Sequence, residues 1–216
     1  MPKTQEVKDT TNFEAGKKAF HEAMVTAQTQ IDTANAEVNK LRADLKRETA
    51  EAKTKTMGRI DELTNNLDAM HKDQQKEIEA RLKELSTDIE SINAELKHAA
   101  VREKAVLEAK AKAVREEYDA TRRALTASLD AEIAEWKARI SAAREAAAEK
   151  KVAAKADVHA KIADLNAKYE AAEKKLHALK QASSAAFDEL QHGVRTAIAD
   201  VRTAAQHARK DIAAAS

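Results

Sequence analysis

Apolar residues recur at every third or fourth position along most of this chain, the spacing that places them on one face of an α-helix. Between Phe20 and Leu45 the steps alternate strictly between four and three, the heptad pattern of helices that pair with other helices. The 134 residues between Gly58 and Gly193 contain neither glycine nor proline, the residues that most often interrupt a helix. The pattern predicts an all-α protein of long helices, forming either an extended coiled coil or an antiparallel helical hairpin or bundle.

Two apolar seams along these helices are the predicted contact surfaces. The first comprises Ile60, Leu63, Leu67, Ile78, Leu82, Leu85, Ile89, Ile92 and Leu96. The second comprises Leu125, Leu129, Ile133, Trp136, Ile162, Leu165, Leu176 and Leu179. Each seam is a narrow stripe, so an isolated helix would leave it exposed to water. We expect it to be covered by homo-oligomerisation, with a dimer favoured, by the chain folding back on itself, or by another protein.

The pattern divides the chain into four segments. Residues 1–12 are polar and contain the only proline, so we expect a disordered tail. Residues 13–56 form a first helical segment, 59–181 a long coiled-coil helix, and 184–213 a C-terminal amphipathic helix.

Breaks between helices are expected near 54–58 and 181–184. The first stretch is poor in apolar residues, ends in Gly58 and coincides with two consecutive steps of four, which locally unwind a coiled coil. The alternative to a break is a helix that continues through residues 54–58. Such a helix would contain one unfavourable glycine, which costs about 1 kcal/mol relative to alanine. At the second stretch, Ser184 is a residue type that caps the beginning of a helix.

Gln74 and five histidines are polar residues whose exposure needs a separate prediction. Gln74 lies at a core-like position of the first seam, where a polar side chain can fix the register of paired helices. It also lies at a second double step of four, which favours exposure to solvent, and this is the interpretation we prefer. Five histidines are spread singly along the chain and are expected on solvated helix faces: His21, His71, His159, His177 and His207.

Composition restricts the possible classes of function more than it restricts the fold class. Charged residues make up 35% of the chain and aromatic residues 3%, the balance of a long helix rather than of a globule with a deep core. The net charge of +1 provides no basic excess, so nucleic acid is not expected as a partner. The chain has no cysteine, which excludes disulfides. Residues 1–6 are polar and no apolar run reaches membrane-spanning length, so the cytoplasm is the expected location.

One pattern in the sequence suggests metal chemistry. Di-metal carboxylate bundles take ligands from Glu-x-x-His motifs, and this chain has one at Glu95–His98 and another at Glu189–His192. Both motifs flank the apolar stripe rather than lie in it, so their side chains are not expected to converge inside a bundle. No Gly-rich phosphate loop accompanies them. We therefore predict no enzymatic activity and no cofactor or metal, with a di-metal bundle as the least favoured alternative.

A membrane or storage-granule surface is the main alternative partner. Amphipathic helices bind such surfaces through a broad apolar face. The segments with the bulkiest apolar residues are Phe13–Val25 and Phe187–Val201. Because the apolar stripe is narrow and rich in alanine, a helix partner is favoured over a lipid surface.

The C-terminal part of the chain carries a more specific pattern. Trp136 is followed by the run ASSAAFDELQHGV over residues 182–194. Over about residues 130–210, the chain resembles a family of small cyanobacterial and proteobacterial coiled-coil stress-response proteins. The glycine and two tryptophans usual in that family are here Ser184, Phe187 and Ile198. The resemblance implies a bacterial coiled-coil protein linked to stress. That family has no assigned catalytic residues, so the resemblance assigns none to this chain.

Periodicity and composition together favour a non-enzymatic structural or interaction protein. Its mechanism would be helix–helix self-association through the two seams. Whether the chain is one straight rod or a folded-back bundle is open at this level, because both arrangements bury the same residues.

Overall fold

The computed structural model describes residues 3–45, 50–149 and 156–214. These ranges form five α-helices and contain no strand, which confirms the all-α fold class. The helices are α1 Lys3–Leu45, α2 Ala50–His98, α3 Val101–Glu149, α4 Ala156–Lys180 and α5 Ser184–Ala214.

The chain divides into two compact units, Met1–Leu125 and Thr126–Ser216. Unit 1 contains α1, α2 and the first half of α3, whereas unit 2 contains the second half of α3 with α4 and α5. Because each unit combines three helical segments, each apolar stripe meets a neighbouring helix of its own chain.

In unit 1, α1 and α2 are antiparallel. Arg59 on α2 pairs with Glu37 on α1, and Gln74 further along α2 pairs with Gln28 earlier on α1. Two apolar clusters fill this unit: Ile31, Val38 and Leu67 between α1 and α2, and Leu85, Ile92, Ala111 and Val114 between α2 and α3.

In unit 2, α4 and α5 pack against each other and close on the end of α3. Ala147 of α3, Val158 of α4 and Ile212 of α5 form one buried cluster. Lys175 approaches Gly193 across the same hairpin, so the two helices run in opposite directions.

The predicted seams are covered within a single chain. Twelve seam residues are buried: Leu67, Ile78, Leu82, Leu85, Ile92, Leu125, Leu129, Ile133, Trp136, Leu165, Leu176 and Leu179. The remaining five, Ile60, Leu63, Ile89, Leu96 and Ile162, are half-buried against the core clusters. Of the arrangements left open by the sequence, the folded-back one is therefore observed within each unit.

The break near 181–184 is confirmed. The N–H of Gln181 donates to the Ala178 carbonyl at 3.2 Å and that of Ala182 donates to the Leu179 carbonyl at 3.1 Å, which closes the end of α4. The following helix, Ser184–Ala214, matches the predicted segment 184–213 to within one residue at its end.

The segment 59–181 differs from the predicted single helix. α2 ends at His98, two non-helical residues follow, and α3 begins at Val101. α3 in turn ends at Glu149 and α4 begins at Ala156, with 150–155 outside the described residues. The chain turns at Ala99–Ala100 although neither residue disfavours helix, because reversal there lets α2 and α3 cover each other's stripes.

The first predicted break also differs. α2 is continuous through 54–58, and a side-chain carbon added at Gly58 would meet no atom within 4 Å, so this glycine lies on an open helix surface. Residues 46–49, between the end of α1 and the beginning of α2, lie outside the described residues. The predicted tail 1–12 is helical from Lys3 onward, since adding residues to an existing helix costs little compared with starting one.

Replacing Gly58 with alanine tests this helix. We expect Gly58→Ala to raise the free energy of unfolding by about 1 kcal/mol, because alanine loses less backbone freedom in a helix and meets no neighbour here. Urea unfolding followed by circular dichroism measures the change. A loss of stability would instead indicate a turn at Gly58 that needs glycine.

Candidate interaction site on the α2–α3 hairpin

A buried ion pair joins α2 to α3 in unit 1. The Nε and Nη2 atoms of Arg81 both donate to Oε1 of Glu117, at 2.8 and 2.6 Å. The two side chains are only 13% and 5% exposed. Burial is the largest influence on Arg81 and lowers its pKa, but the hydrogen bonds and charges of Glu117 and Glu84 together outweigh it, so its pKa lies above the ordinary value. The guanidinium therefore stays charged and paired.

Helix α1 lies over this ion pair. The ring of Phe13 is centred 5.9 Å from the guanidinium carbon of Arg81, within the range of a cation–π contact. A side-chain carbon added at Gly16 would lie 3.8 Å from Nη1 of the same arginine. Arg81 thus contacts residues of α1 and α3 from its place on α2, and it ties the three helical segments of unit 1 together.

The polar stretch of α2 around Gln74 is buried, contrary to the sequence-based expectation. Gln74 is 6% exposed and its Nε2 donates to Oε1 of Gln28 on α1 at 3.4 Å, while His71 and Gln75 are also buried. The prediction that Gln74 faces solvent is wrong, because α1 covers this face. The sequence feature that indicated burial was the position of Gln74 in the heptad seam.

The histidine prediction holds for four of the five residues. His21, His159, His177 and His207 are exposed, as expected of solvated helix faces. His71 is buried, because it lies one helical turn beyond Leu67 on the face that packs against α1.

A second buried ion pair lies in unit 2. Nη2 of Arg202 on α5 donates to Oε1 of the buried Glu132 on α3 at 3.1 Å. Lys180 at the end of α4 also pairs with Asp130 of α3 at 2.8 Å. Next to them on α3, the guanidinium of Arg139 stacks 4.3 Å from the centre of the Trp136 ring. Polar contacts in this unit therefore tie α3 to both other helices.

The two candidate metal-binding motifs belong to different units of the chain. Glu95 and His98 are exposed at the end of α2 in unit 1, and Glu189 and His192 are exposed on α5 in unit 2. Within the described ranges, no three His, Asp or Glu side chains are placed to hold a metal ion.

The segments proposed as lipid anchors are engaged in the fold. Phe187, Val194 and Val201 are buried in unit 2. Phe13 packs against the cluster between α2 and α3. Phe13 and Phe187 are thus covered by neighbouring helices, whereas Val25 of the first segment is 53% exposed.

Apolar side chains are exposed at the start of α3. Val101 is 87% exposed and Val106 is 49% exposed, while Ala100, Ala105 and Ala109 are also exposed. We call residues 99–109 the hairpin tip. A shallow groove of about 290 Å³ lies next to the tip in unit 1, lined by Leu96, Glu108, Ala111, Lys112, Arg115, Glu116 and Asp119. An apolar strip bordered by charges of both signs suits contact with another protein surface.

Comparisons with known proteins provide no match. No protein-family model matches the chain, and neither does any curated protein or solved structure. The resemblance over about residues 130–210 therefore stays a prediction. In the described ranges, no helix combines the length and apolar character needed to cross a membrane.

The buried ion pair provides a test of the site's architecture. We expect Arg81→Met to lower the free energy of unfolding by about 3–5 kcal/mol, because it leaves the Glu117 carboxylate buried without its cation. The double variant Arg81→Met/Glu117→Leu should recover most of that loss, since it removes both charges.

The matched control is the more exposed pair between Arg59 and Glu37. Arg59→Met should cost less than about 1 kcal/mol, as is usual for exposed ion pairs. Equal effects at the two arginines in urea unfolding would contradict the assignment of Arg81–Glu117 as a buried link between helices.

Proposed function

We propose that this chain is a non-enzymatic structural or interaction protein that acts by helix–helix self-association. The observation that carries the proposal is the exposed apolar strip of the hairpin tip. In unit 1 the predicted seam already packs within the chain, so a contact between two closed chains needs a different apolar surface. Val101 and Val106 supply one, since they are among the most exposed large apolar side chains of the described residues.

The buried polar side chains support a packing role over a catalytic one. Arg81–Glu117 joins α2 to α3, and Arg202–Glu132 joins α5 to α3. In both cases a buried charge is matched by an opposite charge on another helix, an arrangement that selects which helices pair. Charged residues placed for chemistry would instead converge on a cleft open to a substrate.

The charge pattern around the tip suits a second copy of the same chain. Glu103, Lys104, Glu108 and Lys112 are exposed and alternate in sign along the start of α3. In a two-fold dimer the same patch meets itself, so each acidic position has a basic position of the partner within its neighbourhood. A patch of one sign would repel its own copy.

The cellular setting is part of the proposal. The resemblance of residues 130–210 to bacterial coiled-coil stress-response proteins points to a cytoplasmic protein made under stress. Self-association through helices is a mechanism that suits such a role, because it requires no cofactor.

Light scattering coupled to size-exclusion chromatography tests the proposal. We expect wild-type protein to approach twice the 23.7 kDa chain mass as its concentration rises. Val101→Glu/Val106→Glu should remain at the mass of one chain with unchanged helix content, because the new charges would be buried unpaired in the contact. The matched control, Val25→Glu, replaces a valine that is 53% exposed on α1 and should dimerise like wild type.

Two results would contradict the proposal. Wild-type protein that keeps the mass of one chain at the highest attainable concentration would exclude self-association. Binding of wild-type protein to anionic lipid vesicles, lost in Val101→Glu/Val106→Glu, would assign the tip to a lipid surface instead.

A further inference from the structure

The residues of the α2–α3 turn are better suited to helix than to a turn. Ala99 and Ala100 separate the two helices, and alanine has the highest helix propensity of all residues but is among the weakest residues at a helix N-cap. Neither residue is the glycine that commonly ends a helix. The turn is therefore favoured by packing, and its local support comes from the Glu103 side chain, which accepts a hydrogen bond from the Ala100 N–H.

The turn keeps one hydrogen bond of a continuous helix and has one backbone bond of its own, from the Glu103 N–H to the Ala100 carbonyl at 2.9 Å. The Lys104 N–H donates to the Ala100 carbonyl at 3.0 Å, a bond that an uninterrupted helix also contains. The Ala100 N–H is held by the side chain of Glu103 at 3.1 Å, on the protein surface. Joining α2 to α3 would replace this surface bond and satisfy the free backbone groups at both helix ends.

The apolar stripe stays in phase across the turn. Leu96 at the end of α2 and Leu107 in α3 both pack against the cluster of Leu85, Ile92 and Val114. They are separated by eleven residues, which is close to three turns of helix. In a continuous helix these two leucines would therefore lie on the same face and extend the seam.

From these observations we infer that the α2–α3 hairpin exchanges between two copies of the chain. In the exchanged dimer α2 and α3 form one helix, and residues 101–125 of each copy pack against α1 and α2 of the other. This inference rests on the proposed function, since it specifies how self-association occurs. Exchange of an identical element preserves the contacts of the closed chain, so little interaction energy is lost.

The geometry places the two-fold axis at the hairpin tip. Arg81 pairs with Glu117 and Asn93 with Arg115, and the midpoints of these pairs in the sequence are 99 and 104. Antiparallel α2–α3 helices from two copies would therefore cross near residues 99–104. The crossing point thus lies within the hairpin tip.

Cross-linking between single-cysteine variants tests the exchange, because the natural chain has no cysteine. Nη2 of Arg115 lies 3.1 Å from Oδ1 of Asn93, so thiols at these positions are within reach of a short bismaleimide. Asn93→Cys and Arg115→Cys proteins are unfolded together, refolded and treated with the reagent. We expect a covalent dimer from the mixture in excess of that from either variant alone.

The α4–α5 hairpin provides the matched control. Lys175 lies against Gly193 across a turn that contains Ser183. Lys175→Cys and Gly193→Cys proteins, mixed in the same way, should give no covalent dimer beyond that of the separate variants. A covalent dimer from this pair equal to that from the 93/115 pair would overturn the assignment of exchange to the α2–α3 turn.

A variant of the turn tests its role directly. Ala99→Gly/Ala100→Ser introduces a residue that disfavours continuous helix and a residue that favours the N-cap of α3. Each dimer contains two opened turns, so we expect dimerisation to weaken at least tenfold by light scattering. Ala105→Gly, at a position that is helical in both forms, should leave dimerisation nearly unchanged. Equal weakening by the two variants would overturn the inference.

The outcomes separate the inference from the proposed function. Suppose that the wild-type protein dimerises but the mixed variants form no cross-link between position 93 of one copy and position 115 of the other. That result would refute exchange and leave self-association through the tip in place. A wild-type protein that is monomeric at all concentrations would refute both.

Discussion

A helix with one narrow apolar stripe has to cover that stripe with another helix, and this constraint underlies the whole structure. Many stripe positions are alanine, and burial stabilises by only about 25 cal/mol per Å² of apolar surface. Stability therefore requires long contacts, which explains helices of 25 to 49 residues. It also explains why the chain turns back within each unit, since α2 covers α1 and α5 covers α4.

Apolar stripes alone leave the register of paired helices weakly defined, because a heptad pattern looks similar to itself after a shift of seven residues. Buried polar contacts remove this ambiguity. If α2 and α3 shifted relative to each other, Glu117 would be buried away from Arg81, at a cost of several kcal/mol. The contact between Gln28 and Gln74 has the same effect between α1 and α2. The buried polar contacts thus define the register of each helix against its neighbour.

In the proposed exchange, folding and self-association draw on the same surfaces. The cluster around Ile92 and Val114 is closed by a hairpin whose turn consists of two alanines. Under the proposed exchange this turn straightens, and the helix that covers α2 comes from a second copy instead of from the same chain. Concentration would then select between the two forms, since only the exchanged form requires association.

Periodicity and composition were sufficient for the all-α class, the residues of both seams, and the C-terminal helix with its preceding turn. They were sufficient because these features depend on neighbours within a few residues. The reversal at Ala99–Ala100 and the burial of Gln74 were decided by tertiary structure, and for the stretch through Gly58 the structure selected the continuous helix from two arrangements that the sequence left open. Local propensity describes a helix in water, where alanine favours helix and glutamine favours exposure. Where a helix ends and which face it buries depend on contacts between residues distant in sequence, as between Gln28 and Gln74.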